Sequence, residues 1–223
     1  MIVNELITRV LTSIVLVFVT YFCIIINIYI FVLTLLVISL ICFIEWSNIN
    51  TKYFRKKKNN YFLFVRIVGL FYLLTFITSS YLLYIYFGAN YYIFILLICA
   101  SSDIGGYITG RTFRGKKLTK ISPNKTISGS IGSFIFSLTP IFFLTLQNKF
   151  ILDFDVSIKG ILLCLFVSLS CQIGDLIISY FKRLNKVKDT GTILPGHGGL
   201  LDRIDGVLLA VPTFVIFQLI INL

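Results

Sequence analysis

Residues 28–45 read IYIFVLTLLVISLICFIE, a run with no charged side chain before Glu45. A helix that crosses a bilayer needs about 20 mostly apolar residues, so this run predicts a membrane-spanning helix. Similar runs occur at residues 10–26, 64–87, 91–109, 127–147, 158–181 and 203–222. We therefore predict an all-α protein, a polytopic transmembrane helix bundle with about seven spans.

The composition agrees with this class of protein. Of the 223 residues, 57% are hydrophobic and 13% are charged, and the mean hydropathy of +0.96 is too high for a soluble domain. The first 90 residues contain long apolar runs, and we expect no ionisable residue deep inside a span there. We interpret residues 1–90 as scaffold helices and residues 91–223 as the catalytic transmembrane region of one integral membrane unit.

The net charge of +11 lies mainly in loops rather than on a groove-binding surface, so nucleic acid is not an expected partner. If the N-terminus is cytoplasmic, the basic runs within residues 52–58, 111–125 and 182–188 share one side. Only Lys149 and Lys159 then fall on the other side. This asymmetry follows the positive-inside rule and predicts a cytoplasmic N-terminus, with basic loops that attract anionic headgroups.

Acidic residues appear in or at the ends of the later spans, beginning at Asp103. An acidic side chain inside a span costs at least ~2.5 kcal/mol, so such residues usually face a polar cavity. On a helix, Asp103, Tyr107 and Arg111 share one face. Gly105 and Gly106 beside them allow close approach of a ligand, or simply of another helix.

Residues 122–129 read SPNKTISG and precede the fifth span. Ser122, Lys125 and Thr126 offer hydroxyl groups, a cation and free backbone N–H groups at a helix N-terminus, which suits a phosphate. An ordinary helix cap beside positive-inside lysines would read the same way.

The most specific spacing runs from Gly174 to Asp205. Asp175, Ser179 and Lys182 share one helix face, and Asp202 and Asp205 lie in the first turn of the last span. We expect these carboxylates to converge at the cytoplasmic interface, where magnesium takes one or two carboxylates plus substrate phosphate oxygens. His197, the only histidine, lies in a glycine-rich turn that suits either a phosphate contact or a tight turn.

The pattern S-x-x-K-R-x-x-x-x-K-D-x-G-x-x-x-P-G-H-G-G-x-x-D-R-x-D over residues 179–205 resembles the signature of the phosphatidate cytidylyltransferase family. Residues 103–110 and 122–129 resemble two further motifs of that family. Ser128 departs from the family, which usually has Glu at this position.

The resemblance implies a multi-span helical enzyme, commonly a homodimer, that forms CDP-diacylglycerol and pyrophosphate from CTP and phosphatidic acid. It implies Mg²⁺, held by Asp175 and Asp202 with Asp205 and Asp103 beside them, and it leaves open a second cation such as K⁺. The catalytic residues it indicates are Asp175, Lys182, Arg183, Lys188, Asp189, Asp202, Arg203 and Asp205. The substrate-binding residues it indicates are Asp103, Tyr107, Arg111, Ser122, Lys125, Thr126, Ser179 and His197.

Other functions stay open at this point. A CTP-dependent polyprenol or phytol kinase would use similar polar helix ends but transfer the γ-phosphate to a lipid alcohol. A transporter would also contain intramembrane acids, although its site usually lies near the bilayer midplane. A bacterial inner membrane, with the active site on the cytoplasmic side, is the simplest expected location.

Overall fold

The computed structural model describes residues 2–57, 59–119, 122, 124–146, 157–194, 196 and 198–221. All regular structure in these residues is helical, apart from two isolated β-bridges, Lys117 with Thr126 and Leu194 with Gly198. The helices are α1 Ile2–Ile26, α2 Ile28–Lys57, α3 Asn59–Phe87, α4 Ala89–Phe113, α5 Ile127–Phe136, α6 Thr139–Leu146, α7 Ile158–Leu184, α8 Leu201–Ile204 and α9 Val207–Ile221.

The predicted all-α architecture with about seven spans is confirmed. In the described part of the chain, 6 helical segments are long and apolar enough to cross a membrane, and Val10–Ile26 is a shorter apolar helix. The long segments are Ile28–Thr51, Tyr61–Phe87, Ala89–Phe113, Ile127–Thr145, Ile158–Leu184 and Leu201–Ile220. Many of their large apolar side chains face outward, as Tyr29 does with 80% of its surface exposed, and a lipid environment stabilises such a surface.

Local sequence explains where the first helices end. Asn27 separates α1 from α2, and its side-chain Oδ1 accepts a hydrogen bond from the Tyr29 N–H at 3.1 Å, which caps the start of α2. Gly88 separates α3 from α4 with a φ of 87°, a conformation that L side chains rarely adopt. Asn27, which lies between the apolar runs 10–26 and 28–45, is therefore a true helix boundary.

The chain divides into two compact units. The first consists of Met1–Tyr81 with Phe181–Ile204, and the second of Leu82–Tyr180 with Asp205–Leu223. The predicted boundary at residue 90 separates scaffold helices from a catalytic region. The division into compact units does not test this difference in function, so the boundary stays a prediction.

In the first unit, Trp46 of α2 is the central packing residue. Its indole ring lies 4.5 Å from the ring of Phe181, centroid to centroid, and its Nε1–H donates to the Val65 carbonyl at 2.9 Å. Gly69 of α3 makes room for the ring, because a Cβ there would lie 2.1 Å from the indole nitrogen. Trp46 thus ties α2 to both α3 and the end of α7.

In the second unit, α4 and α5 approach so closely that glycines line their contact. A Cβ on Gly132 would lie 1.9 Å from Thr109 Oγ1, and one on Gly105 would lie 2.4 Å from Phe136 Cβ. Thr109 Oγ1 also lies within hydrogen-bonding distance of the Ser128 carbonyl, at 3.2 Å. The glycines of the fourth span therefore do serve a helix contact, one of the two roles expected of them.

We predict that Gly132→Ala destabilises the protein by about 1–3 kcal/mol, because the new methyl group overpacks the α4–α5 contact. Thermal unfolding of the purified protein in detergent checks this. Ile131→Ala is the matched control, since Ile131 lies on the same helix with 55% of its surface exposed. Equal midpoints for the two variants would contradict the role given to this contact.

Candidate active site

A polar cavity of about 360 Å³ lies in the second unit at the N-terminus of α5. It brings together residues from two predicted motifs and from α7. Its lining comprises Asp103, Gly106, Tyr107, Leu118, Ser122, Asn124, Lys125, Thr126, Gly129, Ser130, Ser133, Gln172 and Asp175.

An ion pair stands at this cavity. Lys125 Nζ lies 2.5 Å from Asp175 Oδ2, and the two side chains are 27% and 32% exposed. The other oxygen, Asp175 Oδ1, accepts a hydrogen bond from Ser179 Oγ at 3.1 Å. The pair is open enough for a ligand to reach both groups.

The segment before α5 is held by its own hydrogen bonds. Thr126 caps the helix, with its Oγ1 accepting from the Gly129 N–H at 3.1 Å, and the Ile127 N–H donates to the Lys116 carbonyl at 3.0 Å. Ser128 Oγ donates to the Arg114 carbonyl. A Glu at position 128 could not make that bond when ionised, so the departure from the family pattern is accommodated by a local contact.

The first unit contains a second cluster, centred on Asp202. Its Oδ1 accepts from Lys182 Nζ at 2.8 Å, and the two side chains are only 7% and 11% exposed. Its Oδ2 accepts from the Thr190 N–H at 2.7 Å, the Thr190 hydroxyl at 3.0 Å and the Gly199 N–H at 3.2 Å. Asp202 therefore organises the segment between α7 and α8.

Comparison with known proteins places this chain among cytidylyltransferases. Residues 52–221, most of the chain, match the model of the Cytidylyltransferase family. The chain belongs to this family.

Its relatives carry a more specific name. The phosphatidate cytidylyltransferase of Staphylococcus haemolyticus is 45% identical over 128 residues, which cover 56% of this chain and 47% of that protein. The phosphatidate cytidylyltransferase of Bacillus subtilis is 38% identical over 134 residues, covering 60% and 48%. The chain thus spans about half the length of the curated relatives it matches.

The other predicted residues of this cytidylyltransferase family member are distributed over both units. Arg111 Nη1 donates to the Tyr107 hydroxyl at 2.7 Å, next to the cavity. Asp205 Oδ1 accepts from the Gly206 N–H at 2.8 Å. Four charged residues of the glycine-rich signature at residues 179–205 are exposed. They are Arg183 at the end of α7, Lys188, Asp189 and Arg203. His197 lies outside the described residues.

Magnesium has suitable ligands at the cavity. Asp103 and Asp175 present carboxylates to one space, and Mg²⁺ usually takes one or two carboxylates together with phosphate oxygens. Asp175 already binds Lys125 and Ser179, and Asp202 likewise has both oxygens engaged by protein donors. Among the described residues, no group of three or more His, Cys, Asp or Glu side chains is placed to hold a metal.

Asp175 and Asp202 belong to different units. Their expected convergence on one metal ion, with Asp205, stays a prediction.

The sequence patterns did not single out several polar residues of the described part, among them Gln172 and Glu45. Gln172 of α7 lines the cavity, and its Oε1 accepts from Ser130 Oγ at 2.6 Å. Glu45 of α2 is only 3% exposed and lies within the span Ile28–Thr51. The expectation that the first 90 residues carry no ionisable residue deep inside a span is therefore wrong. The sequence did contain a signal for Glu45, since it is the single acid in an otherwise apolar run.

We predict that Thr190→Val lowers the free energy of unfolding by about 1–3 kcal/mol, because buried carboxylate oxygens lose a hydroxyl donor. Thr190→Ser keeps that donor and should unfold close to the wild type. Thermal or denaturant unfolding of both variants checks this. Equal free energies of unfolding for the Thr190→Val and Thr190→Ser variants would show that the hydroxyl does not stabilise the cluster around Asp202.

Proposed function

We propose that this protein transfers the cytidylyl group of CTP to phosphatidic acid, forming CDP-diacylglycerol and pyrophosphate. The observation that carries the proposal is the Lys125–Asp175 pair at a polar cavity in a membrane-spanning member of the cytidylyltransferase family. The names of the relatives agree with this reaction. CTP and phosphatidic acid are accordingly the proposed substrates.

The proposed reaction needs no nucleophile from the protein. A phosphate oxygen of phosphatidic acid attacks the α-phosphorus of CTP, a new P–O bond forms, and the bond to pyrophosphate breaks. The protein must hold two anionic substrates in line and offset their charge, the effects that dominate phosphoryl transfer. The residues at the cavity are of the types that this task requires.

Phosphate groups have a suitable place at the N-terminus of α5. The ten-residue helix Ile127–Phe136 begins at this region with its positive dipole end, although its Ile127 and Gly129 N–H groups already bind the Lys116 carbonyl and Thr126 Oγ1. Ser122, Lys125 and Thr126 line the cavity beside it. We assign these three residues to a phosphate of either substrate.

We assign magnesium to Asp175, with Asp103 beside it, because both carboxylates face the cavity. Bound there, the ion would neutralise phosphate charge and polarise the phosphorus–oxygen bonds. Asp202 and Asp205 remain proposed ligands on the strength of the family resemblance. A second cation such as K⁺ is part of the same proposal.

Three basic residues at the end of α7 and after it are proposed contacts for the triphosphate. Arg183 and Lys188 are exposed and so available to a ligand. Lys182 is the least accessible, since Asp202 already binds its ammonium group at 2.8 Å. Its charge contributes first to holding Asp202.

The location and assembly follow from the same reasoning. Long apolar helices and bacterial relatives make this an integral membrane protein. We propose the bacterial inner membrane, with the site open to the cytoplasm, because the basic loops fall on one side of the predicted topology. A homodimer is proposed from the family resemblance.

We expect the purified protein to convert radiolabelled CTP and phosphatidic acid into lipid-linked cytidine and pyrophosphate when Mg²⁺ is present. Asp175→Asn and Asp202→Asn should each lower turnover roughly 100-fold or more, since each removes a negative charge that the proposed function assigns to magnesium. Lys159→Gln, at an exposed position at the start of α7, is the control and should turn over like the wild type.

The products decide among the reaction classes. CDP and a lipid phosphate would indicate a lipid kinase instead. Absence of any CTP turnover, under conditions where the Bacillus subtilis relative forms lipid-linked cytidine, would overturn the proposed function.

A further inference from the structure

Glu45 lies outside the glycine-rich signature at residues 179–205, yet its carboxylate accepts hydrogen bonds from three residues of that signature. Glu45 Oε1 accepts from the Leu200 N–H at 3.0 Å. Its Oε2 accepts from the Leu201 N–H at 2.9 Å and from the Thr190 hydroxyl at 3.0 Å. Both oxygens of one buried carboxylate thus bind the two ends of the segment 190–201.

These hydrogen bonds are what makes the burial of Glu45 tolerable. An isolated buried carboxylate is strongly destabilising, whereas one that accepts several N–H and O–H bonds is stabilised where it stands. Glu45 is 3% exposed. Its side chain therefore favours the one arrangement of the segment that supplies all three donors.

Two glycines of the signature are explained by the same carboxylate. A Cβ on Gly191 would lie 2.6 Å from Glu45 Oε1, whereas a Cβ on Gly199 would lie 2.0 Å from Thr190 Oγ1 and 2.6 Å from Glu45 Oε2. Neither glycine has a positive φ, since the described positive-φ glycines are Gly88, Gly115, Gly196 and Gly198. Glycine therefore provides space for Glu45 at position 191, and for Glu45 and the Thr190 hydroxyl at position 199, rather than an unusual backbone conformation.

The contact extends from Glu45 to the charged residues of the site. The Thr190 hydroxyl lies 3.0 Å from an oxygen of Glu45 and 3.0 Å from an oxygen of Asp202, so its single proton is shared between the two carboxylates. Asp202 in turn binds Lys182 at 2.8 Å. Moving Glu45 would therefore disturb Asp202 through Thr190.

We infer that Glu45 is a positioning residue for cytidylyl transfer, an inference whose catalytic part rests on the proposed function. It holds Thr190, Leu200 and Leu201 against α2 and so keeps Asp202 and Lys182 in the arrangement that turnover requires. Glu45 itself acts through these residues and does not touch the substrate.

Hydrogen–deuterium exchange of the full-length protein in nanodiscs tests the clamp without reference to activity. In Glu45→Gln, the side-chain amide presents a donor to one of the N–H groups that the carboxylate bound. We expect the amides of Leu200 and Leu201 to exchange at least tenfold faster than in the wild type. Asn50→Ala is the matched control, because Asn50 is equally buried in α2 but binds Asn185 instead, and there the exchange of these amides should stay within twofold.

Turnover of the same samples tests the positioning role. We expect kcat per folded molecule to fall at least tenfold in Glu45→Gln and to stay within about threefold in Asn50→Ala, even if both lower the unfolding midpoint. Slow exchange at Leu200 and Leu201 in Glu45→Gln would overturn the clamp. Fast exchange with wild-type kcat would overturn the positioning role.

Gly191→Ala approaches the same contact from the other side and serves if Glu45→Gln does not fold. Its methyl group should displace Glu45 and reproduce the fast exchange and low kcat. In a Glu45→Asp background, the shorter acid leaves room for that methyl group, so Gly191→Ala should lower kcat by a smaller factor than in the wild type. Equal factors in both backgrounds would contradict a direct contact between the two positions.

The two measurements distinguish failure of the proposed function from failure of the Glu45 contact. A wild-type protein without CTP turnover would refute the proposed function and, with it, the catalytic part of this inference. The exchange rates would still decide whether Glu45 clamps the segment.

Discussion

A carboxylate that leaves water for a membrane-embedded interior must find hydrogen-bond donors or a cation. This requirement shapes the polar part of the protein. Glu45 binds two N–H groups and a hydroxyl, Asp202 binds Lys182 and two N–H groups, and Asp175 binds Lys125. Each acid therefore brings a loop or a helix end to a defined position.

The arrangement of glycines follows from this requirement. Between α4 and α5, Gly105 and Gly132 let two helices approach closely, and the cavity opens where this contact ends at Thr126 and Gly129. In the first unit, Gly191 instead leaves space for the Glu45 carboxylate, and Gly199 leaves space for that carboxylate and the Thr190 hydroxyl. Glycine thus permits close helix packing in the second unit, and in the first unit it leaves room for the hydrogen bonds of a buried carboxylate.

Sequence patterns predicted the features that depend on neighbours along the chain. The spans follow from hydropathy, and the bond between Ser179 and Asp175 follows from their helical spacing. The cap at Thr126 is one of the two interpretations that residues 122–129 allowed. The ion pair of Lys125 with Asp175 joins residues 50 positions apart. The sequence motifs indicated both residues as site residues but did not predict that they pair. Gln172 and Glu45 were missed because each is a single polar residue in an apolar run, and its importance depends on donors that are distant in sequence.

The amino-acid sequence by itself determined that this is an all-helical membrane protein of the cytidylyltransferase family, and it named most of the charged residues of the candidate site. Hydropathy and short-range spacing are local properties, so they can be read without coordinates. Only the tertiary structure decided which acid meets which donor, because Glu45 and Leu200 are 155 residues apart. Hydrogen bonds of that range form only when the helices have packed, and they connect the apolar helix α2 to the residues around Asp202.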